Sequence, residues 1–523
     1  MPDFDRAERI GEFWGHAETR TFGELLIDLE EDQGGAGGCV RTAGRSWSGD
    51  SQRRTASQSS ARPSHPKLPG GVSRAFARAP KSAESRSSMR MRAKFLVVFG
   101  VALIQLVASS SPSYAVGGAL DTSFDGDGKV LTDFFGSFDA SLEVASAPDG
   151  RTVVAGVAHR LSGGAEFAVA RYNVDGSLDP TFDGDGKATA AFGTCDAWAF
   201  GLAVLPGGKI VLGGASYGRL AGDECGTEID FALARFNRDG SLDPSFGDDG
   251  KVTTDFGASG DGSTEEMLGL AVGPQGTITA IGGVPAGFGL ARYKPDGTLD
   301  NSFDEDGRVV TDFGGGGQPQ SVAIAPNGQI VAVGAVFVPA TSSNDFGIVR
   351  YNSDGSLDGR FGVGGKVTTD FGTEGDGSHE GAQDVAIDAN GRIVAVGGIF
   401  SPFQRDFAVA RYDTDGSLDA SFDGDGKVTT DFGGSDSAEA VSIYPNGTIV
   451  ATGGTRVGGT GDFAISRYRS DGGLDLSFDG DGTVVTDFGG EESAFAVAIQ
   501  SDGRIVAAGP GPQDFAVARY LGR

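Results

Sequence analysis

The stretch that decides the fold is AQDVAIDANGRIVAVGGIFSPFQRDFAVARYDTDGSLDASFDGDGKVTTDFGG, Ala382 to Gly434. It contains four short runs rich in Val, Ile, Phe and Thr, each bounded by Gly, Asp or Asn, which is the pattern of strands joined by tight turns. Lettered in order, A is Ala382 to Ile387, B is Arg392 to Gly398, C is Asp406 to Tyr412 and D is Gly426 to Phe432. The same unit recurs through the chain. Its Leu-Asp pair begins at Leu120, Leu178, Leu242, Leu299, Leu357, Leu418 and Leu474, spaced by 58, 64, 57, 58, 61 and 56 residues. Seven copies of a four-strand unit predict an all-β, seven-bladed β-propeller, because a lone four-stranded unit buries neither face until its neighbours pack against it. Residues 116–523 form this repeat domain, and nothing after Ala115 reads as a long amphipathic helix.

The phase of the repeat predicts how the ring closes. The domain opens with a D strand, Gly128 to Phe134, and ends at a C strand that stops near Tyr520. Pairing Val130 to Phe134 antiparallel with Phe515 to Tyr520 would complete the last blade and cover an exposed strand edge. The A strands, carrying small and aliphatic residues, are expected to line the central channel. Phe167, Phe231, Phe346 and Phe407 are expected to fill the space between blades.

The units SFDGDGKV and DFAVARY resemble the delta-60 repeat family of secreted bacterial proteins, and their phase resembles NHL-type propellers. The likeness covers Gly118 to Arg523. It implies a propeller and an exported location, and it implies no particular activity.

Composition sets limits. The chain has 523 residues, 88 of them Gly, and a formal charge of −29. That charge excludes nucleic-acid backbones and anionic lipid surfaces as partners, since both are read by clustered Lys and Arg. The charge is unevenly placed, net +4 over residues 1–115 and net −33 over the remainder. The boundary reads as a secretory signal at 89–115: Arg90, Arg92 and Lys94, then an apolar run from Phe95 to Ala108, then Ser113-Tyr114-Ala115 for cleavage. Its apolar run is too short to span a bilayer, so no membrane span is expected in the mature chain. The expected location is therefore periplasmic or extracellular, after cleavage at Ala115. Residues 1–88 then lie upstream of a signal, and read as an over-extended start or as a disordered extension with a short helix near Arg20 to Glu31.

Cys39 precedes the signal, which leaves Cys195 and Cys225 as an even pair in an exported chain. A disulfide between them is expected, since one lies in a D–A loop and the other in a B–C loop of the same blade. The C–D and A–B connections keep fixed lengths among the copies. The B–C and D–A loops vary, the longest B–C segment being Ala215 to Ile229, and this rim is the candidate binding face.

Chemistry is sparse. FDGDG alternates carboxylates at Asp125 and Asp127, Asp183 and Asp185, Asp423 and Asp425, and Asp479 and Asp481, which invites a calcium reading. That reading fails on spacing, for Gly136 stands where an EF-hand needs Glu, and the fifth copy, FGVGG from Phe361 to Gly365, keeps the glycines without the acids. No cofactor is expected, and a Gly- and Asp-shaped turn accounts for the motif. The arginines Arg171, Arg235, Arg292, Arg350, Arg411, Arg467 and Arg519 end every C strand, and could form an anion ring or a repeated brace to the Asp of each Leu-Asp pair; the brace is the simpler account. Only His159 and His379 fall within the repeats, in different units, and no nucleophile elbow or zinc-protease motif is present. The expected function is a monomeric binding or structural scaffold for a glycan or protein ligand. The alternative is a carbohydrate-active or other hydrolytic propeller using carboxylates, which would show non-repeated polar residues converging at the channel.

Overall fold

The computed structural model describes residues 116–523 except 220–224, 258–264, 286, 373–377 and 402–403, together with all side chains in that range but those of 219–228 and 401–404. The segments 1–88 and 89–115, and with them the signal and the upstream extension, lie outside the described residues, as does Cys39.

Twenty-eight strands form seven antiparallel four-stranded sheets, and no helix occurs among the described residues. After β1 (Lys129–Thr132), blade 1 holds β2 (Asp139–Ser146), β3 (Thr152–His159), β4 (Ala165–Tyr172) and β5 (Lys187–Ala190). Blade 2 holds β6 (Ala197–Val204), β7 (Ile210–Arg219), β8 (Cys225–Phe236) and β9 (Lys251–Thr254). Blade 3 holds β10 (Glu266–Val272), β11 (Ile278–Val284), β12 (Gly287–Tyr293) and β13 (Arg308–Thr311). Blade 4 holds β14 (Gly317–Ile324), β15 (Ile330–Val338), β16 (Ser343–Tyr351) and β17 (Lys366–Thr369). Blade 5 holds β18 (His379–Ile387), β19 (Ile393–Ser401), β20 (Gln404–Tyr412) and β21 (Lys427–Thr430). Blade 6 holds β22 (Ser437–Ile443), β23 (Ile449–Thr455), β24 (Asp462–Tyr468) and β25 (Thr483–Thr486). Blade 7 holds β26 (Ala496–Ile499), β27 (Ile505–Pro510) and β28 (Phe515–Tyr520), with β1 as its outer strand.

The ring closes as the phase predicts. Lys129 pairs with Ala518 and Thr132 with Phe515, antiparallel. Ahead of β1, Gly118 donates its N–H to the Leu521 carbonyl and Leu120 bridges to Tyr520, so the first Leu-Asp pair serves the last blade. Six of the seven D strands stop at Thr, and β5 at Ala190, rather than running to Phe. In blade 5, Asp431 turns back to accept the Gly433 N–H at 2.6 Å, which ends the ladder after Thr430.

Successive A strands touch one another in a closed cycle, β2 to β6, β10, β14, β18, β22, β26 and back to β2, and so form the innermost layer. Six of them carry a bulge that skips one residue, between Ala382 and Asp384 in β18 for example. The bulge brings a carbonyl against the B strand, where only Gly fits. A Cβ on Gly397 would lie 1.9 Å from the Gly381 carbonyl oxygen, which explains the repeated V-G-G of the B strands.

The expected interblade phenylalanines are fully buried, Phe407 among them. Each also packs on the Phe that follows its D strand, as Phe407 does on Phe432 with ring centroids 4.8 Å apart. Between blades, a C-terminal Tyr of one C strand reaches the last Thr of the preceding D strand, Tyr412 to Thr369 at 2.8 Å and Tyr172 to Thr132 at 2.7 Å. Blade 2 breaks this rule at both ends together, since Phe236 replaces the Tyr and Ala190 the Thr. A buried hydroxyl without its partner costs about 1–3 kcal/mol, whereas loss of both is close to neutral. Tyr412→Phe alone and Thr369→Ala alone should therefore each lower stability in urea, while the double variant recovers most of the loss; simple addition of the two costs would contradict the pairing.

Candidate functional site

Three regions could carry function: the two rims and the channel between them. The rim bearing the A–B and C–D turns is built from one repeated device. In blade 5, Arg411 Nε donates to Asp419 Oδ2 at 2.8 Å, its second nitrogen donates to Ser421 Oγ at 3.1 Å, and its third donates to the Ser470 carbonyl of blade 6 at 2.6 Å. The guanidinium lies 4.5 Å from the Phe422 ring centroid, so one face is covered by an aromatic. The same reach to the next blade links Arg171 to Arg238, Arg235 to Pro295, Arg292 to Ser353, Arg350 to Thr414, Arg467 to Gly522 and Arg519 to Val174. Each of the seven arginines is thus a brace to protein groups within its blade and in the next, although Arg467 meets Asp475 through a terminal nitrogen and, among the described residues, leaves its Nε without an acceptor.

The aspartates of the brace are held below the usual carboxylate range. Burial would raise them, but the Ser or Thr hydroxyl, the backbone N–H donors and the arginine outweigh it at Asp121, Asp179, Asp300, Asp419 and Asp475, with Lys209 added at Asp243, while at Asp358 the Arg360 N–H and Arg350 do so without a hydroxyl. The FDGDG acids shape the same rim. Asp125, Asp183, Asp423 and Asp479 sit at φ of 50°, 47°, 51° and 49°, and Asp425 Oδ1 accepts the Lys427 N–H at 2.9 Å. They are exposed turn residues, and among the described residues they join no group of three acids. A groove here, about 760 Å³, is lined by Ser123, Asp149, Arg151, Asn173, Asp175 and Arg238, which are parts of the repeated turns and of the charged residues beside them.

The channel departs from expectation. Its wall is made of A strands, but the skipped residue of each bulge is large: Leu142, Phe200 and Leu268 on one side, with Phe495 beside them, and Gln320, Gln383 and Glu439 on the other. Periodicity could not find them, because a bulge shifts the alternation by one residue. The bulky side chains leave a cavity of about 130 Å³, below the ~300 Å³ at which small-molecule pockets begin. Asp384, which lines it, accepts from Ser321 Oγ at 2.6 Å and from the Val441 N–H at 2.8 Å, tying blades 4, 5 and 6.

The other rim carries all the variation. A and B strands are joined by equal turns throughout, whereas the hairpin of β7 and β8 reaches Arg219 and Cys225 and the hairpin of β11 and β12 ends at Val284 and Gly287. Much of the expected long loop from Ala215 to Ile229 is therefore strand. Cys195 is buried two residues before β6, and Cys225 opens β8 on this same rim; the Cys225 side chain lies outside the described residues. His159 is half-buried, with Nδ1 2.9 Å from the Phe138 carbonyl, and burial pulls its pKa down. His379 Nδ1 accepts the Asn344 N–H at 3.1 Å, and the two histidines stand in different blades.

Sequence reasoning missed one feature of this rim. The residue before each C strand's Phe, the residue after each D strand and a residue at the start of the next A strand meet at the junction of two blades. Carboxylates gather there as Asp133, Asp139 and Asp514; Asp230, Asp255 and Glu265; Asp406, Asp431 and Asp436; and Asp462, Asp487 and Glu492. The signal was present in aligned copies, but the third member falls in the loop whose length varies.

Six segments, 147–182, 205–246, 276–303, 325–361, 389–422 and 445–478, match the family described as a domain of unknown function (DUF5122) beta-propeller. No curated protein matches this chain. Among solved structures it is similar to a catalytically inactive virginiamycin B lyase from Staphylococcus aureus with quinupristin, at 10% identity and a TM-score of 0.43 over 75% of this chain and 99% of that one. It is also similar to a protein of unknown function from Dyadobacter fermentans, at 12% identity and 0.42 over 76% and 98%, and to Sqt1 from Chaetomium thermophilum, at 14% and 0.41 over 75% and 97%.

The brace makes a stability claim with a definite sign. Carboxylates whose folded pKa is depressed stabilise fully above their unfolded value, near 4, and lose that contribution as pH falls below it. The difference in urea midpoint between the parent and Asp419→Asn, from which the other acids cancel, should hold between pH 6 and pH 5 and shrink toward pH 3. Arg411→Ala removes the buried guanidinium from Asp419, which keeps the partly exposed Arg392 at 3.3 Å, and should cost about 1–3 kcal/mol at pH 7; a variant as stable as the parent would refute the brace.

Proposed function

We propose that this propeller, of the delta-60 repeat type, is an exported binding or structural scaffold whose variable B–C/D–A rim recognises a glycan or protein. The observation that carries this reading is the contrast between its two rims. One is occupied by a sevenfold brace whose polar groups are consumed internally, while strand and loop lengths differ only on the other. Recognition needs surface that can change without unfolding the ring, and only the variable rim offers it. The hydrolytic alternative predicts polar groups converging at the channel. Polar residues do face it from blades 4, 5 and 6, but the cavity of about 130 Å³ is too small for a sugar ring with its neighbours. Export rests on the basic, apolar and small-residue succession from Arg90 to Ala115. No helix among the described residues is long and apolar enough to cross a membrane.

Glycan and peptide arrays probed with the purified protein test the reading. Binding should survive substitutions in the Asp415 to Ser417 turn and fail when the β7–β8 hairpin is shortened. Release of cleaved glycan, or binding sensitive only to the fixed rim, would overturn it.

A disulfide between Cys195 and Cys225 belongs to the same proposal, since it would anchor the longest hairpin of that rim to the start of β6. A bridge closing about 30 residues stabilises by roughly 3–4 kcal/mol in the chain-entropy model. The unreduced, denatured mature protein should titrate no free thiol; two free thiols would dispose of the bridge.

A further inference from the structure

The blade junctions of the variable rim present three equivalent positions, and the chain fills them as sets. All three are acidic between blades 7 and 1 (Asp514, Asp133, Asp139), 2 and 3 (Asp230, Asp255, Glu265), 4 and 5 (Asp345, Asp370, Glu380), 5 and 6 (Asp406, Asp431, Asp436), and 6 and 7 (Asp462, Asp487, Glu492). Between blades 1 and 2 only Glu166 remains, beside Ala191 and Ala197; between 3 and 4 only Asp312 remains, beside Gly287 and Gly317. No junction keeps two. Independent surface acids would not come and go in threes, whereas the ligands of one ion would.

In four of these sets, one carboxylate oxygen from each residue lies within 4.8 Å of the others. Oxygens that close can share one calcium ion, whose oxygen ligands sit at about 2.3–2.6 Å from it. The A-strand member is sealed in: Glu265 is 1% exposed, and Asp436 and Glu492 are 0% exposed. Among the described residues, Glu265 Oε2, Asp436 Oδ1 and Glu492 Oε1 have no hydrogen-bond donor. The second oxygens of Asp436 and Glu492 accept the Phe432 and Phe488 N–H groups, so these buried carboxylates are only partly compensated, and neighbouring negative groups add to the cost. The D-strand member is exposed, or half-buried at Asp255, and spends one oxygen on its own turn, as Asp431 does on the Gly433 N–H and Asp487 on the Gly489 N–H. Its other oxygen is left to face the group, with solvent access for ion entry and for water ligands.

Burial, opposed by backbone N–H donors and reinforced by neighbouring carboxylates, pushes Asp139 up to about 6 and Glu492 up to about 7. A shared proton or a cation would relieve this. Two observations favour the cation. The sets are complete where present, and Glu166, whose two equivalent positions are Ala191 and Ala197 and which has Asp196 nearby on the Ala165 N–H, is paired with Arg160, so the carboxylate kept at this position is met by positive charge.

We propose that these interblade carboxylate triads are calcium sites, each clipping the C and D strands of one blade to the A strand of the next. Magnesium fits less well, because it keeps its water and demands tighter octahedral geometry. The site is separate from the FDGDG turns, which lie on the opposite rim.

Equilibrium dialysis of the purified, EGTA-stripped protein against radiolabelled calcium at pH 7.5 should find at least four ions per chain. The melting temperature should rise with millimolar calcium and much less with equal magnesium. Asp436→Asn, and independently the exposed Asp431→Asn, should each remove one ion, while Asp423→Asn in an FDGDG turn should remove none. Fewer than one ion per folded chain would overturn the proposal, as would unchanged binding in both junction variants or loss of binding in Asp423→Asn. A calcium-insensitive protein in which Asp436→Asn raises the melting temperature would instead establish shared protons.

Discussion

A buried guanidinium at the end of each C strand is the constraint on which the ring depends. Four antiparallel strands make a sheet whose two faces are both apolar, and apolar contact alone does not fix the angle between neighbouring sheets. Arg411 does, because its planar fork satisfies Asp419 and Ser421 within one blade and the Ser470 carbonyl in the next. Those bonds cannot be made at another rotation. The ring also closes through this contact: Arg519 of β28 takes Asp121 from the opposite end of the chain at 2.8 Å and the Val174 carbonyl of blade 1 at 2.6 Å. With desolvation charged against it, a buried ion pair adds little net stability, so its value here lies in geometry.

Much of this was legible from residues alone. The Leu-Asp spacing gave seven units, and the early D strand with a chain ending on C gave the shared blade before any coordinate was needed. The Arg and the Asp recurred in every copy, which made the brace readable as a pair. The glycines of V-G-G were visible, but their reason was not, since it lies in a bulge on the facing strand that brings the Gly381 carbonyl to within 1.9 Å of a Cβ on Gly397. The same bulge defeated the expectation of a small-residue channel. Alternation places Gln383 and Asp384 on opposite faces, whereas both line the cavity. Length variation hid the third acid of each junction, and FDGDG, the most conspicuous acidic motif, occupies tight turns on the opposite rim.

A repeated chain contains its own set of variants, and these carry information that a single-copy sequence lacks. Phe236 and Ala190 lose their hydroxyls together across one interface, whereas Tyr412 and Thr369 keep theirs and bond at 2.8 Å. Neither change would be informative alone; jointly they identify a buried hydrogen bond whose halves are tolerated only as a pair. The junction acids obey the same logic with three members. Ala191 with Ala197, and Gly287 with Gly317, remove two carboxylates at once. The sheet itself survives these replacements, for β5 still pairs with β4 and β12 still pairs with β13. Where the acids are present, then, strand pairing is not what requires them, and the requirement must come from the carboxylates acting on something in common. The fixed rim answers the demand of ring geometry with an internal cation, the guanidinium. Among the described residues the variable rim repeats no such arginine brace, and a bound cation, as proposed above, would tie neighbouring blades there in its place.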